Sequence, residues 1–172
     1  MFGMIHDENP FVEPPEQRDP IRRLRGRLSS PVTIVTAGRG ERRTGLTVSS
    51  VMVVEGEPGL VQLVVGPTSD LWDAVELSGN FVVHVCSESD RQLAEVFAGL
   101  RPNPGGPFAG LEVRDSEWGP ILERLGDRAF CRWLESTEVG YSGLVTGEIV
   151  SVETGELVDP LVYFRGRYRA LG

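Results

Sequence analysis

The chain contains no lysine, so its positive charge comes from 17 arginines among 172 residues. An anionic ligand would therefore have to be bound by guanidinium groups, hydroxyls or backbone N–H groups. Acidic residues outnumber the arginines, giving a formal net charge of -8. This charge argues against a nucleic-acid partner and against an anionic membrane surface.

Cysteine and histidine are also scarce, with two residues of each. Cys86 and Cys131 lie in apolar segments, which predicts buried free thiols in a cytoplasmic protein. For His84, in the middle of an apolar run, a core histidine with one hydrogen bond competes with a catalytic role. These few residues show no ligand spacing, so we expect no metal site, and no Ser or Cys nucleophile motif is present.

Long apolar runs are missing too, and none approaches the roughly 20 residues of a membrane span. The N-terminus lacks a secretory apolar core, so the cytoplasm is the expected location. The length of 172 residues predicts one domain. Residues 1–20, rich in proline and acidic side chains, predict an irregular arm, and residues 21–172 predict the domain itself.

Short β-branched segments dominate this domain, and the helical segments between them are brief. This pattern predicts a closed or half-closed β-barrel. Strands are expected at 32–36, 60–65, 81–86, 111–113, 129–136, 144–152 and 161–164, with the stretch after Thr44 forming a hairpin with the first. Helices are expected at 21–28, at 71–77 with Asp70 as its cap, and at 91–98 with Ser89 or Asp90 as its cap.

Three segments are candidates for ligand binding. The stretch 44–51 offers short hydroxyls and backbone N–H groups without bulky side chains. The loop 66–70, directly before a helix, is either an anion seat or an ordinary capped turn. The arginines at 165–169 form either a solvated edge strand or a clamp on an anion. A further basic cluster at 18–27 is either a solvated helix face or an ion-pairing surface.

Taken in order, five motifs resemble the flavin reductase-like family of FMN-binding split barrels. They are Pro31-Val32-Thr33-Ile34-Val35-Thr36-Ala37, Gly45-Leu46-Thr47-Val48-Ser49-Ser50-Val51, Ser78-Gly79-Asn80-Phe81-Val82-Val83-His84-Val85, Leu93-Ala94-Glu95-Val96-Phe97-Ala98-Gly99 and the terminal run from Asp159 to Tyr168. The resemblance extends from about Leu28 to Leu171 and implies a mainly β, six-stranded Greek-key split barrel with a few short flanking helices.

The resemblance also implies a homodimer with FMN bound in a groove near the interface, and FAD stays open as the cofactor. Carried over by position, the flavin ring and ribityl chain would lie along Leu46, Thr47, Val48, Ser49 and Ser50. Thr68, Ser69 and Trp72 would lie by the phosphate, Phe97 and Ala98 near the ring or phosphate tail, and Tyr163 and Arg165 at the rim.

One departure from the family pattern concerns the electron donor. Members that use nicotinamide often carry Gly-Asp-His before a Val-x-Gly-Glu-Val strand, whereas this chain has Gly140-Tyr141-Ser142 there. Tyr141 and Ser142 are therefore the substrate-side candidates, and no catalytic residue is assigned. The resemblance implies NAD(P)H-dependent reduction of FMN, which could supply a partner monooxygenase. The alternatives are an FMN-dependent reductase or oxidase of another small substrate, or a flavin-binding module without turnover.

Overall fold

The computed structural model describes residues 19–171. The expected arm of residues 1–20 lies almost entirely outside this range, so the domain boundary at residue 21 stays a prediction. The helices are α1 (Pro20–Arg25), α2 (Asp70–Ser78) and α3 (Arg91–Phe97). The strands are β1 (Ser30–Pro31), β2 (Thr33–Ala37), β3 (Thr44–Val48), β4 (Val51–Val54), β5 (Leu60–Val65), β6 (Asn80–Val85), β7 (Val113–Arg114), β8 (Ile121–Leu122), β9 (Arg128–Val139), β10 (Ser142–Glu153), β11 (Val162–Phe164) and β12 (Arg167–Arg169).

The main sheet has seven strands in the order β3-β2-β6-β9-β10-β5-β4, all antiparallel. Its two edge strands, β3 and β4, are consecutive in the chain and are joined only by Ser49 and Ser50. The sheet must therefore curl until its edges approach each other. This confirms the expected mainly β split barrel, whereas the expected count of six strands is wrong for this sheet.

The interior of the curled sheet holds the larger apolar cluster. Strand β5 alternates as a half-buried strand should, with Val61, Leu63 and Val65 buried inside. Its outward residue Val64 is 41% exposed, so the expectation that β5 is buried on both faces is wrong. The remaining buried members come from β2, β3, α2, β6, β9 and β10, and they are Val35, Ala37, Val48, Leu71, Val75, Phe81, Val83, Cys131 and Val145.

A second apolar cluster covers part of the outer face of the sheet. Helix α3, the loop around Phe108 and the segment at Leu122–Leu125 pack there against Ile34 of β2. The small sheet β1-β11-β12 contributes Tyr163 and Tyr168 to the same cluster. Within residues 19–171 the outer face over β4, β5 and β10 is not covered in this way, and several apolar side chains there are exposed.

Several element ends differ from the sequence expectations. Helix α1 ends at Arg25, and Ile21, Leu24 and Leu28 are all exposed. Strands β9 and β10 are longer than expected because they form one hairpin, and the short strand expected at 111–113 begins at Val113. Within residues 19–171 no helix is long and apolar enough to cross a membrane.

The cap of α2 differs from the sequence expectation, and the cap of α3 agrees with it in position but not in hydrogen bonding. Ser69, not Asp70, caps α2, because its hydroxyl accepts the Trp72 N–H at 3.2 Å. Asp90, one of the two expected residues, occupies the N-cap position of α3, but its carboxylate accepts the Ser87 N–H at 2.9 Å and makes no cap hydrogen bond to this helix. Ser87 and Asp90 instead form a capping box around the short 3-10 turn Glu88–Asp90.

His84 is a core residue, as the first of its two interpretations predicted, and not an exposed catalytic side chain. Its Nδ1 lies 3.0 Å from the Ile34 carbonyl oxygen, and its Nε2 accepts the Leu122 N–H at 3.1 Å. Both contacts require a neutral ring with the proton on Nδ1. Burial lowers the pKa of His84 from its ordinary 6.5 to about 4. Cys86 and Cys131 are buried free thiols, and burial raises the pKa of each to about 12.

His84 should therefore make stability depend on pH in the acid range. Between pH 6.5 and about 4 the unfolded chain binds a proton that folded His84 does not. The free energy of unfolding should fall with decreasing pH in this window by up to about 1.4 kcal/mol per pH unit. The variant H84N should be less stable at neutral pH because the Leu122 N–H loses its acceptor. The measurement is urea denaturation of both proteins from pH 7 to 4. Parallel curves over this range would contradict the prediction, because carboxylate titration is common to both proteins.

Candidate functional site

Two of the expected ligand-binding segments and the expected substrate-side turn meet at one corner of the main sheet. The bend Ser49–Ser50 reaches β5, because the Ser50 carbonyl accepts the Val64 N–H at 3.0 Å. The loop 66–69 continues directly from β5 into α2. The turn between β9 and β10 arrives from the other side, since Gly143 pairs with Val65. We call this place, formed by residues 49–50, 66–72 and 140–143, the sheet corner.

The strand before the bend is fixed by two side-chain hydrogen bonds, one to helix α3 and one to strand β2. The Thr47 hydroxyl donates to the Ala94 carbonyl of α3 at 2.7 Å. Val48 is buried, and its carbonyl accepts the Thr33 hydroxyl at 2.6 Å. Ser49 is half-buried and Ser50 is exposed. Thr47 is thus engaged with α3, and Ser49 and Ser50 are the hydroxyl residues of the bend itself.

The start of α2 has backbone donors suited to an anion. Its first N–H groups, those of Asp70 and Leu71, have no acceptor one turn earlier in the helix. The Ser69 hydroxyl is already used twice, since it also donates to the Gly66 carbonyl at 2.7 Å. Thr68 is exposed. An anion here would be bound by N–H groups and the Thr68 hydroxyl, with Ser69 shaping the turn.

The turn that departs from the family pattern is a tight two-residue connection. Val139 pairs with Ser142 across it, and Gly140 has a φ of +59°, a conformation that favours glycine. Tyr141 at the tip is fully exposed and Ser142 is half-buried. Directly behind the turn, the Trp72 ring lies against the backbone of Gly143. The substrate-side candidates therefore lie beside the start of α2.

A groove of about 310 Å³ lies on the α3 side of β3. Leu46, Phe97 and Ala98 line it together, as the sequence assignment of all three to one ligand requires. Gly45 makes the groove possible, because a Cβ there would lie 2.6 Å from the Phe97 ring. Asn103 and Arg101 lie at its rim. The Arg101 guanidinium pairs with the Glu95 carboxylate at 2.9 Å.

The structure does not bring Tyr163 and Arg165 to the sheet corner. Tyr163 belongs to β11, where its ring packs edge-on against Tyr168 at 5.6 Å between centroids. Arg165 lies beside α1, because its N–H donates to the Gly26 carbonyl at 3.1 Å, and its guanidinium lies over Phe164. These contacts do not support an arginine clamp on an anion, and the rim role of both residues stays a prediction.

Two other features do not involve the expected residues. A second cavity of about 260 Å³ lies between the β2–β3 turn and the end of α2, with Arg39, Arg42 and Leu77 in its wall. Among residues 19–171, no group of three or more His, Cys, Asp or Glu side chains could hold a metal ion.

Comparison with known proteins identifies the fold and its family. A profile of the flavin reductase like domain matches residues 25–172, most of the chain. The chain belongs to the flavin reductase-like family. This confirms the resemblance that the five sequence motifs indicated.

Named relatives cover nearly the whole chain. The NADH-dependent FMN reductase AsuE2 of Streptomyces nodosus subsp. asukaensis is 34% identical over 173 residues, covering 96% of this chain and 90% of the relative. The reductase component of 4-hydroxyphenylacetate 3-monooxygenase from Thermus thermophilus is 33% identical over 145 residues, covering 84% and 91%.

Solved structures of the family agree with the fold. The flavin reductase PheA2 superposes with a TM-score of 0.80 at 23% identity, covering 90% of this chain and 99% of its own. At that identity it supports the fold alone. A homologue of nitrilotriacetate monooxygenase component B from Mycobacterium thermoresistibile gives 0.79 at 27% identity, covering 88% and 85%.

Sequence reasoning did not identify the two glycines that make room for aromatic rings at the site. Gly45 and Gly143 each admit an aromatic ring from a helix, namely Phe97 and Trp72. Arg101 and Asn103 of the groove were missed as well, because they lie in a loop without a motif. Glycine inside a strand does signal a close approach, but the sequence does not say which group approaches.

The Ser69 hydroxyl caps α2, whereas the neighbouring Thr68 hydroxyl is exposed, so the two should differ in their effect on stability. Ser69→Ala removes the cap of α2 and should lower the free energy of unfolding by about 1 kcal/mol. Thr68→Ala removes an exposed hydroxyl and should change it by less than about 0.5 kcal/mol. Urea denaturation at pH 7 measures both. Equal losses in the two variants would mean that Ser69 is not the residue that caps the helix.

Proposed function

We propose that the protein is an NADH-dependent flavin reductase that binds FMN at the sheet corner and along the adjoining groove. The observation that carries this proposal is the convergence of residues 49–50, 66–72 and 140–143 at one place. Hydroxyls, free helix N–H groups and an apolar wall are the groups that a flavin nucleotide requires. The name of the relative AsuE2, an NADH-dependent FMN reductase, supports the same activity.

In this proposal each segment contacts a different part of the cofactor. Backbone groups and hydroxyls of Ser49 and Ser50 bind the polar edge of the ring and the ribityl chain. The N–H groups of Asp70 and Leu71, with the Thr68 hydroxyl, bind the phosphate. Leu46, Phe97 and Ala98 give the apolar wall of the groove. We favour FMN over FAD as the cofactor because the relative AsuE2, which matches nearly the whole chain, is named as an FMN reductase.

The electron donor would approach from the turn that carries Tyr141 and Ser142. Bound flavin supplies the hydride-accepting chemistry, so the protein has only to place the donor and exclude competing reactions. The exposed Tyr141 ring can stack on a planar nicotinamide, and the Ser142 hydroxyl can bind its amide. A charged side chain is not required for this step, so the departure from Gly-Asp-His is compatible with turnover.

We further propose that the reduced flavin serves a partner monooxygenase. Relatives named as reductase components of two-component monooxygenases support this role, including the Thermus thermophilus protein. Reduction of another small substrate by bound FMN, and flavin binding without turnover, are the alternatives. A cytoplasmic location fits the two buried free thiols and stays a prediction.

A homodimer would explain the uncovered outer face of the sheet. Met52 and Val54 of β4 lie on this face with Gln62 and Leu60 of β5, as their pairing shows. Met52 is 54% exposed and Val64 is 41% exposed. Exposed apolar side chains grouped on one face of a sheet are typical of an interaction surface. Arg132 and Glu148 pair at its rim, so a second copy would meet balanced charge there.

Anaerobic stopped-flow mixing tests the reductase activity. The FMN-loaded protein should lose absorbance near roughly 450 nm when mixed with NADH, because hydride transfer removes the flavin colour. NADPH should act more slowly, and free FMN without protein provides the background rate. Protein that takes up no FMN would overturn flavin binding. FMN-loaded protein that neither donor bleaches would overturn the reductase activity and leave the alternatives.

Sedimentation analysis tests the homodimer. Met52→Glu combined with Val64→Glu places two like charges on the proposed interface and should give a monomer at micromolar concentration. Val53 provides the matched control, since it lies on the same strand, is 64% exposed and points to the opposite face. Val53→Glu should stay dimeric. A wild-type monomer, or a dimer that survives the double substitution, would contradict this interface.

A further inference from the structure

The Trp72 ring occupies the space where Gly143 lacks a side chain. A Cβ built on Gly143 would lie 2.6 Å from Cε3 and 2.7 Å from Cη2 of this ring, and Cζ3 would be nearer still. Real Cβ atoms essentially never come so close to another heavy atom. The indole therefore lies on the peptide backbone of β10, and any larger residue at 143 would displace it.

The backbone conformation does not explain why this position holds glycine. Gly140 in the turn has a positive φ, but Gly143 does not. Gly143 is buried within β10, where glycine weakens a strand unless another group must approach its backbone closely. The approaching group here is Trp72, so the pair forms one packing unit.

This contact joins the two halves of the proposed site. Trp72 is the third residue of α2, and Ser69 fixes its backbone through the helix cap. Gly143 directly follows Ser142 and lies two residues from Tyr141. Tyr141 is fully exposed, so its own packing does not hold it in place. The turn is joined to β5 through the Gly143–Val65 pairing, and the Trp72–Gly143 contact joins it directly to α2.

We propose that Trp72 is a positioning residue for the electron donor, rather than only a neighbour of the flavin phosphate. Its ring packs the 140–142 turn against the start of α2. Tyr141 and Ser142 then lie at a fixed distance from the N–H groups that would bind the flavin phosphate. This inference rests on the proposed flavin reductase function. In this role the Trp72–Gly143 contact would help to align the electron donor with the flavin. The rate of hydride transfer is sensitive to small displacements of the two.

A double-mutant cycle tests the inference. Gly143→Ala forces the ring away and should raise the KM for NADH on the order of tenfold, with a smaller change in FMN affinity. Trp72→Leu removes the ring that packs on the turn and should raise this KM by a similar factor. In the combined variant the added methyl meets no ring, so Gly143→Ala should have little further effect. The expected result is thus strong non-additivity in the KM for NADH.

The matched control is Gly147→Ala, four residues further along β10. A Cβ there would lie 2.8 Å from Cε1 of the fully buried Phe81, so the variant is overpacked at a distance from the turn. It should lower Tm but leave the KM for NADH unchanged. Tm is measured for every variant, because a purely structural role would couple Trp72 and Gly143 in Tm alone.

The outcomes separate this inference from the proposed function. Wild-type protein that does not bind FMN, or binds it without oxidising NADH, overturns the proposed function and this inference with it. An active wild type whose variants combine additively in KM overturns the positioning role alone. Non-additivity in Tm with an unchanged KM for NADH does the same, since it leaves only packing. Non-additivity in KM that Gly147→Ala does not reproduce supports the inference.

Discussion

The curl of the main sheet depends on one short connection, the bend at Ser49–Ser50. On one side of it, the Val48 carbonyl is bound by the Thr33 hydroxyl. On the other, the Ser50 carbonyl accepts the Val64 N–H of β5, the strand next to the opposite edge strand β4. Two residues thus bring both edges together, and the apolar interior is enclosed as a result. The candidate site lies beside this bend, where the start of α2 offers its first backbone N–H groups.

Absent side chains then set the distance between the layers. Gly45 admits Phe97 of α3, Gly143 admits Trp72 of α2, and Gly147 admits Phe81 from across the sheet. In each case an aromatic ring takes the space that a Cβ would need, which lets a helix or strand approach the backbone closely. The helices that line the site are therefore positioned by glycines on the strands, and the geometry of the groove follows from the same contacts.

The sequence predicted the local elements well where the pattern is strong. Strand β5 has the expected ends because it is apolar, β-branched and bounded by glycines. The cap of α2 was misplaced by one residue, since Ser69 and Asp70 are both favourable caps and only the observed hydrogen bond decides between them. The exposure of Val64 could not be predicted, because apolar composition does not tell whether a face is covered within the chain or by another copy. The meeting of residues 49–50, 66–72 and 140–143 depends on pairing across the sheet and has no local signal.

The charge around the sheet corner bears on how tightly a flavin phosphate can be held. The chain has no lysine, and the groove guanidinium of Arg101 is already paired with Glu95. Asp70 and Asp73 in the first turn of α2 add negative charge near the phosphate seat. They stabilise the helix through its dipole but oppose a phosphate at the same place. In the proposed binding mode the phosphate would be bound by backbone N–H groups and the Thr68 hydroxyl, which are neutral donors, so the negative charge of Asp70 and Asp73 would weaken its binding.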